Sequence, residues 1–361
     1  MLNSITVLLS ASGSQFAPGI IKCLKKNEER DIRVVGVDMS GDPSNQYLVD
    51  SFYRVPSTDS DNYVDSILEV CQKESVDILL PQMSSELPLY FDNLNRFKSI
   101  ETIVSMTTTQ NVNIANDKLL LFDYMKKNGI PTPEFAGVHS FQEFKKALFE
   151  LGYPYNPVVV KIPNSSGARG VRVIDESKSK YEIFAHEKPT SVYVSYEDMK
   201  SILLDAEKSL GKGVFPELML MEYLPGDEYD IDLLADDGKV LYSAGRRNPE
   251  MVMSISQSSI LEYNERAEKI SEQLVKMLKL DGNLGFDFKF DASGDVQLLE
   301  INPRIDATVS IFAAGGMNLP YLRIKQLLGE NLPKVEIKYG TQLKRRYLET
   351  FTDVDGKLIE W

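Results

Sequence analysis

Residues 285–304 read GFDFKFDASGDVQLLEINPR, and this stretch decides the fold of the last part of the chain. Apolar residues alternate with polar ones on both sides of a Ser-Gly pair, which predicts two strands joined by a tight turn at 291–295. Pairing these strands would bring Asp287 on the first close to Glu300 and Asn302 on the second. Glu300 and Asn302 share one face of their strand because they lie two residues apart.

Three oxygen-bearing side chains on one face predict a site for a hard cation. Mg²⁺ prefers oxygen ligands and usually shares them with substrate phosphates. Arg304 lies just beyond the three side chains and adds an anion site beside the cation site. The alternative is a polar sheet face turned to water, which Pro303 and the flanking apolar residues disfavour.

The acid followed by EINPR resembles the metal-binding end of the ATP-grasp superfamily. Among its branches, the stretch is most similar to the one that contains the carbamoyl phosphate synthetase large subunit and many carboxylate–amine ligases. The resemblance implies that Asp287, Glu300 and Asn302 hold Mg²⁺, or Mn²⁺, between the phosphates of ATP. It also implies that Arg304 contacts phosphate or the activated substrate.

An Asn-Asp-Lys run at 116–118 is followed by an amphipathic helix and by GIPTP at 129–133. Gly followed by Pro is a helix stop. The pattern is similar to the family's entry into its lid domain, where a basic residue in the place of Lys118 reaches ATP. The alternative is an Asn cap with an exposed lysine.

Lys161 stands alone in an apolar strand, PVVVKIP, where burial without an anionic partner would be costly. A phosphate or a neighbouring carboxylate would supply that partner. The turn NSSGARG follows at 164–170, and its glycines would let backbone amides approach phosphates. An ordinary hairpin is the alternative for the turn alone. After Lys161 it resembles the flap that closes over the β- and γ-phosphates, which implies phosphate contacts from Ser165, Ser166, Gly167, Arg169 and Gly170.

The sequence LMLMEYLPGDE at 218–228 predicts a strand that runs into a turn. Family members with a similar stretch bind adenine through backbone groups around the first acid and bind ribose through the second. The resemblance therefore places Glu222, Tyr223 and Leu224 at adenine and Glu228 at ribose.

Arg246 and Arg247 come at the end of a predicted strand. Two guanidinium groups there suit an anionic substrate or the departing phosphate, and surface exposure is the alternative. The Ser- and Met-rich stretch at 251–260 is predicted to be a loop that sets substrate specificity. Residues 175–212 are polar and Tyr-rich, and we interpret them as an enlargement of the lid.

Strand and helix signals alternate through residues 1–113, which predicts parallel strands with crossover helices. The loop at Ser10–Ser14 has no GxGxxG pattern, so a dinucleotide site is disfavoured. We expect an α/β protein, α+β in its later part: a Rossmann-like parallel sheet followed by the two-part ATP-grasp fold. The expected limits are 1–113 for the N-terminal domain, 114–215 for the lid and 216–361 for the large domain.

Composition excludes several classes of function. A net charge of −13 argues against a nucleic-acid binder, which needs a basic surface. Two histidines exclude a His-rich zinc site, and two cysteines without a CxxC motif predict buried free thiols in a reducing compartment. No apolar run approaches ~18 residues and no signal peptide is evident, so we expect a cytoplasmic protein without a membrane span.

The resemblance implies that a substrate carboxylate attacks ATP to form an acyl phosphate, which an amine then converts to an amide or peptide-like bond. Arg304, Arg246 and Lys161 are the expected catalytic residues. The partners expected are a small carboxylate and an amine, with a possible homodimer. The alternatives are a stand-alone kinase of a small acid, like one half of carbamoyl phosphate synthetase, and a non-catalytic nucleotide-binding protein.

Overall fold

A computed structural model describes residues 2–41, 44–109, 111–165, 167, 169–188, 191–211, 213–252 and 255–359. Three sheets follow one another along this part of the chain. None of the helices in these ranges is long and apolar enough to cross a membrane.

The first sheet is parallel, as the alternation of strand and helix signals predicts. Its strands are β1 (Ile5–Leu9), β2 (Ile32–Asp38), β3 (Ser51–Arg54), β4 (Ile78–Leu80) and β5 (Ile103–Val104). Their order is β3-β2-β1-β4-β5, with parallel pairing throughout. The accompanying helices are α1 (Ala17–Lys25), α2 (Tyr63–Glu74), α3 (Glu86–Asp92) and α4 (Leu94–Ser99). The expected Rossmann-like N-terminal sheet is confirmed.

The second sheet is mixed and is reached through two short helices, α5 (Val112–Asn116) and α6 (Lys118–Lys127). Its strands are β6 (Phe135–Val138), β7 (Val158–Lys161), β8 (Val171–Ile174), β9 (Tyr193–Val194) and β10 (Leu218–Glu222), in the order β6-β10-β7-β8-β9. Helix α7 (Phe141–Glu150) packs on β6 and β10. The stretch interpreted as a lid enlargement forms α8 (Lys180–His186), β9 and α9 (Tyr196–Leu210).

The third sheet is antiparallel and carries most of the candidate site. Its strands are β11 (Glu228–Asp236), β12 (Lys239–Val252), β13 (Ile255–Leu261), β14 (Gly282–Phe290), β15 (Val296–Asn302) and β16 (Gln342–Lys344). Their order is β15-β14-β11-β12-β13-β16. Helices α10 (Glu265–Leu278), α11 (Ser310–Ala314) and α12 (Leu319–Leu327) complete it. The prediction of a loop at 251–260 is wrong, because β12 and β13 pair through most of that stretch.

The hairpin of β14 and β15 forms as its sequence predicts. The Asp291 N–H donates to the Asp295 carbonyl at 2.8 Å, and its carboxylate accepts the backbone N–H of Ser293 at 2.9 Å. Gly294 has φ +86°, a left-handed conformation that glycine adopts without strain. The pairing sets Asp287 opposite Glu300, and a bulge between this pair and the Phe288–Leu298 pair shifts the register that the turn begins.

Clusters of buried apolar residues join the sheets to one another and to their helices. One cluster combines β1, β2, β4 and α1 of the first sheet with the α11–α12 region and inward residues of β11, β12 and β13. A separate cluster lies between the second sheet and its helices α7 and α9. The first and third sheets therefore share a core, and a further cluster joins Val159 and Met219 of the second sheet with Phe286 and Ile301 of the third.

The division of the chain at 113/114 and 215/216 stays a proposal. Strand β10 lies at the centre of the second sheet, between β6 and β7. By sheet membership, the change from the second sheet to the third falls between Glu222 and Glu228.

Candidate functional site

The three candidate metal residues meet on one face of the third sheet. The Asn302 amide donates from Nδ2 to Asp287 Oδ2 at 3.0 Å and to Glu300 Oε1 at 3.3 Å. Asn302 is 7% exposed, whereas Asp287 and Glu300 are only partly buried. Arg304 Nη2 donates to Asn302 Oδ1 at 3.0 Å, so the predicted anion-binding residue lies directly beside the set.

The two carboxylates have opposite electrostatic surroundings. Burial and then the carboxylates of Asp230 and Glu300 raise the pKa of Asp287 well above its usual range. Burial would also raise the pKa of Glu300, but the Lys118 ammonium group lowers it to about 2. Convergent carboxylates with too little nearby positive charge fit a hard divalent cation, so the residues present are suited to Mg²⁺.

The two candidate phosphate lysines approach this face from the second sheet and its entry. Lys118 Nζ lies 2.8 Å from Glu300 Oε2 and donates to the Ser165 carbonyl at 2.8 Å. It thereby connects the flap with the candidate metal residues. Lys161 is 8% exposed on β7, and burial lowers its pKa to about 8. Within the described residues no carboxylate lies within the 4.0 Å of an ion pair with Lys161.

The flap begins where β7 ends. The Ser165 N–H donates to the Ile162 carbonyl at 3.3 Å, and the Ile162 N–H donates to the Gly170 carbonyl at 3.1 Å. Gly167 and Gly170 have φ of +65° and +69°, and a Cβ on Gly170 would meet the Ile162 side chain at 2.7 Å. Arg169 is exposed. Ser166, also predicted to bind phosphate, lies outside the described residues.

The candidate adenine segment follows β10. Glu222 accepts the Glu134 N–H at 3.1 Å through Oε1, and Leu224 is buried. The hydroxyl of Tyr223 lies 3.2 Å from that of Tyr193 on β9, so the lid enlargement reaches this segment.

Glu228, the candidate ribose ligand, begins β11 and pairs with Lys289 on β14. Burial raises its pKa, while the charges of Lys289 and Lys161 lower it. The Glu228 carboxylate and the Lys161 ammonium group therefore lie close enough to interact electrostatically.

Arg246 is placed differently from both sequence interpretations. It is 2% exposed, so the surface alternative is wrong for this residue. Its Nη2 lies 2.7 Å from Asp230 Oδ2 and 2.6 Å from Asp306 Oδ1, and its Nε lies 3.4 Å from Asp232 Oδ2. With three carboxylates around it, the guanidinium is already occupied by protein groups. Arg247 is more exposed and pairs with Asp227 and Glu262.

The carboxylate cluster is the part of the site that sequence reasoning missed. Burial raises the pKa of Asp230 to about 7 and that of Asp232 well above its usual range. Asp306 keeps a lowered pKa because Arg246 outweighs its burial. One cation is thus shared by three buried acids. In the sequence, the only local indication of this cluster is the alternation of Asp230 and Asp232 along β11.

These features together resemble those of ATP-grasp proteins: a parallel N-terminal sheet, a second sheet with a buried lysine and a glycine-containing flap, and a third sheet with convergent oxygen ligands. Comparison with known families agrees. Residues 214–350 match the family described as ATP-grasp in the biosynthetic pathway with Ter operon. Residues 7–105 match the PylC-like N-terminal domain. The predicted resemblance to the ATP-grasp superfamily is confirmed.

The curated relatives include carbamoyl phosphate synthase large chains. That of Clostridium acetobutylicum is 24% identical over 294 residues, which cover 78% of this chain and 25% of the relative. That of Methanothermobacter thermautotrophicus is 21% identical over 308 residues, covering 82% of this chain and 27% of the relative. The chain thus spans little more than a quarter of the length of these relatives.

Solved structures share the fold at low sequence identity. The biotin carboxylase domain of Hydrogenobacter thermophilus 2-oxoglutarate carboxylase, in complex with MgADP, ADP and bicarbonate, has a TM-score of 0.68 at 17% identity. The match covers 93% of this chain and 73% of that one. The ADP complex of N5-carboxyaminoimidazole ribonucleotide synthetase has a TM-score of 0.62 at 16% identity and covers 93% and 80%.

Proposed function

We propose that this chain is an ATP-dependent ligase that joins a carboxylic acid to an amine through an acyl phosphate and releases ADP and phosphate. The observation that carries the proposal is the convergence of Asp287, Glu300 and Asn302 beside Lys118. A cation held by these oxygen ligands, together with a lysine, would suit the β- and γ-phosphates of a nucleotide.

Mg²⁺ held by Asp287, Glu300 and Asn302 would neutralise the charge that develops on the transferred phosphoryl group. In the present arrangement the amide nitrogen of Asn302 faces the carboxylates. Ligation through its oxygen requires a half-turn of the amide, which also frees the Arg304 N–H that donates to that oxygen. Binding of a metal by the Asn302 oxygen would then also leave Arg304 available to the substrate.

The remaining residues position the reactants. Lys161, Lys118 and the flap hold the phosphates, and Glu222 to Leu224 with Glu228 hold the nucleoside. An oxygen of the substrate carboxylate attacks the γ-phosphorus as its bond to the ADP oxygen breaks. The amine nitrogen then attacks the acyl carbon, phosphate leaves, and the nitrogen gives up a proton. Flap closure would keep water from the acyl phosphate.

Arg246 has an indirect role in this proposal. Its guanidinium is surrounded by Asp230, Asp232 and Asp306, so it has no free edge for a substrate anion. Asp230 is the cross-strand partner of Asp287. We therefore assign Arg246 to positioning the metal residues, and we assign direct contact with the acyl phosphate to Arg304.

A second candidate function is phosphorylation of a small acid without ligation, which the likeness to carbamoyl phosphate synthase large chains favours. Release of ADP and phosphate is measured with panels of carboxylic acids, with and without amines. The ligase requires both partners for sustained turnover, whereas the kinase turns over with the acid alone. Binding of ATP without turnover under all conditions would leave a nucleotide-binding protein.

Glu300→Ala tests the site itself. Removing a ligand of the cation that would stabilise the developing charge should lower turnover by about 10²–10³-fold. Glu272→Ala, which removes an exposed carboxylate on α10, is the matched control and should keep wild-type turnover. Unchanged turnover in Glu300→Ala would contradict the assignment.

A further inference from the structure

Arg345 directly follows β16 at the edge of the third sheet and turns its side chain inward. Its Nε donates to the Ser256 carbonyl at 2.8 Å. Its Nη2 donates to the Ala307 carbonyl at 3.1 Å and to Thr308 Oγ1 at 3.3 Å. These bonds, from β13 and from the loop after β15, fix the plane of the guanidinium.

The guanidinium has no carboxylate partner in the part of the chain that the structure describes. The buried arginines Arg30, Arg246 and Arg323 do pair with carboxylates, whereas Arg304, like Arg345, binds only neutral acceptors among the described residues. Arg345 binds only neutral acceptors, and among the described residues its Nη1 makes no hydrogen bond. Burial, followed by the charge of Arg246, lowers its pKa, and the charge of Asp306 offsets this only in part. A half-buried cation beside another cation needs a compensating anion.

This cation borders the candidate site through two sets of contacts. The loop that accepts its Nη2 also carries Asp306, whose carboxylate binds Arg246 at 2.6 Å. On the other side, Ser256 Oγ lies 2.6 Å from Ser259 Oγ, which donates to Asn248 at 2.7 Å. Asn248 in turn donates to Asp230, the cross-strand partner of the metal residue Asp287. Arg345 is therefore tied to the network that supports the metal residues.

We propose that Arg345 binds a carboxylate of the acid substrate through its free Nη1 edge. The proposal rests on the ligase function proposed above and adds the residue that recognises the acid. A guanidinium held by three hydrogen bonds is oriented before the substrate arrives, so little rotamer entropy is lost on binding. A neutral acceptor could not compensate the charge, which makes a carboxylate the chemical class expected.

The first experiment measures steady-state kinetics. A panel of carboxylic acids and their matched carboxamides is screened for acid-stimulated ADP release, and the most active acid is titrated. Loss of a charged hydrogen bond in Arg345→Gln should raise the KM for the acid about ten- to a hundredfold, with the KM for ATP little changed. Arg345→Lys keeps the charge and should show a smaller rise. Arg346→Gln, which removes the neighbouring exposed arginine, should behave as wild type.

The second experiment needs no turnover and uses malonate as the probe. Thermal unfolding is followed in malonate and in chloride at equal ionic strength, without magnesium. Malonate should raise the Tm of wild type and Arg346→Gln but not that of Arg345→Gln. An equal malonate effect in wild type and Arg345→Gln, or none in wild type, overturns the proposal. Failure of every acid to stimulate ADP release, with the malonate difference intact, would instead count against the ligase function.

Discussion

Arg246→Met tests the electrostatics on which the third sheet depends. The substitution keeps an unbranched side chain of useful length but removes a cation that is 2% exposed. Asp230 and Asp306, whose oxygens lie 2.7 and 2.6 Å from the guanidinium, would remain buried without it. Breaking a buried ion pair by removing one partner costs about 3–5 kcal/mol. That loss is a large part of a typical folding stability of about 5–15 kcal/mol.

The loss should depend on pH. Burial raises the pKa of Asp230 to about 7 even with Arg246 present, and without the cation it should rise further. An acid whose pKa is higher in the folded state stabilises the fold while protonated, and this contribution is lost as pH rises through the folded pKa. The variant should therefore regain stability as pH falls from about 8 toward the unfolded value of about 4.

Urea unfolding at pH 8 and pH 5.5 measures both effects. Arg247→Met is the matched control, because Arg247 is more exposed and its ion pairs should be worth about 0–1 kcal/mol. A loss below about 1 kcal/mol in Arg246→Met at pH 8, or a loss equal at both pH values, would refute the reasoning about the shared cation.

Three further outcomes are expected. Burial raises the pKa of the Cys23 and Cys71 thiols to about 12. A thiol-specific reagent should therefore label neither cysteine in the folded protein and both in guanidinium chloride. Fast labelling without denaturant would contradict this. Because the pKa of Lys161 is about 8, ADP affinity measured by calorimetry should fall up to about tenfold per pH unit above that value. Lys161→Arg should flatten this dependence, and an unchanged slope would exclude Lys161 as the phosphate cation. Gly245→Ala places a Cβ 1.8 Å from the Tyr229 hydroxyl. The substitution should lower the free energy of unfolding in urea by at least about 1–3 kcal/mol. Wild-type stability would show that the strand relaxes freely.

The sequence predicts those parts of the site that depend on local pattern. The hairpin of β14 and β15 follows from a two-residue period on both sides of a Ser-Gly turn. The pairing of Asp287 with Glu300 also needs a bulge beside Phe288, which that pattern does not predict. The parallel first sheet follows in the same way from alternating strand and helix signals. The individual roles assigned to the site residues stay predictions.

The buried charges could not be predicted from local pattern. An arginine at a predicted strand end is equally typical of an exposed and of a buried position. The burial of Arg246 depends on Asp306, which is 60 residues away in sequence. The stretch at 251–260 resembles a loop because it is rich in serine, yet Ser256 and Ser259 are buried and hydrogen-bond to each other. In both cases partners brought by the fold decide whether a polar group can be buried.

The apolar cluster common to the first and third sheets limits how this chain can be divided. Helix α1 packs against α11 and α12, and Arg30 and Lys325 form ion pairs across the same junction. A shortened protein that ends at residue 113 would present the apolar side of α1 to water and should aggregate. Over evolutionary time, substitutions in α1 and α12 would have to compensate each other, so neither end of the chain could be exchanged for that of a distant homologue alone.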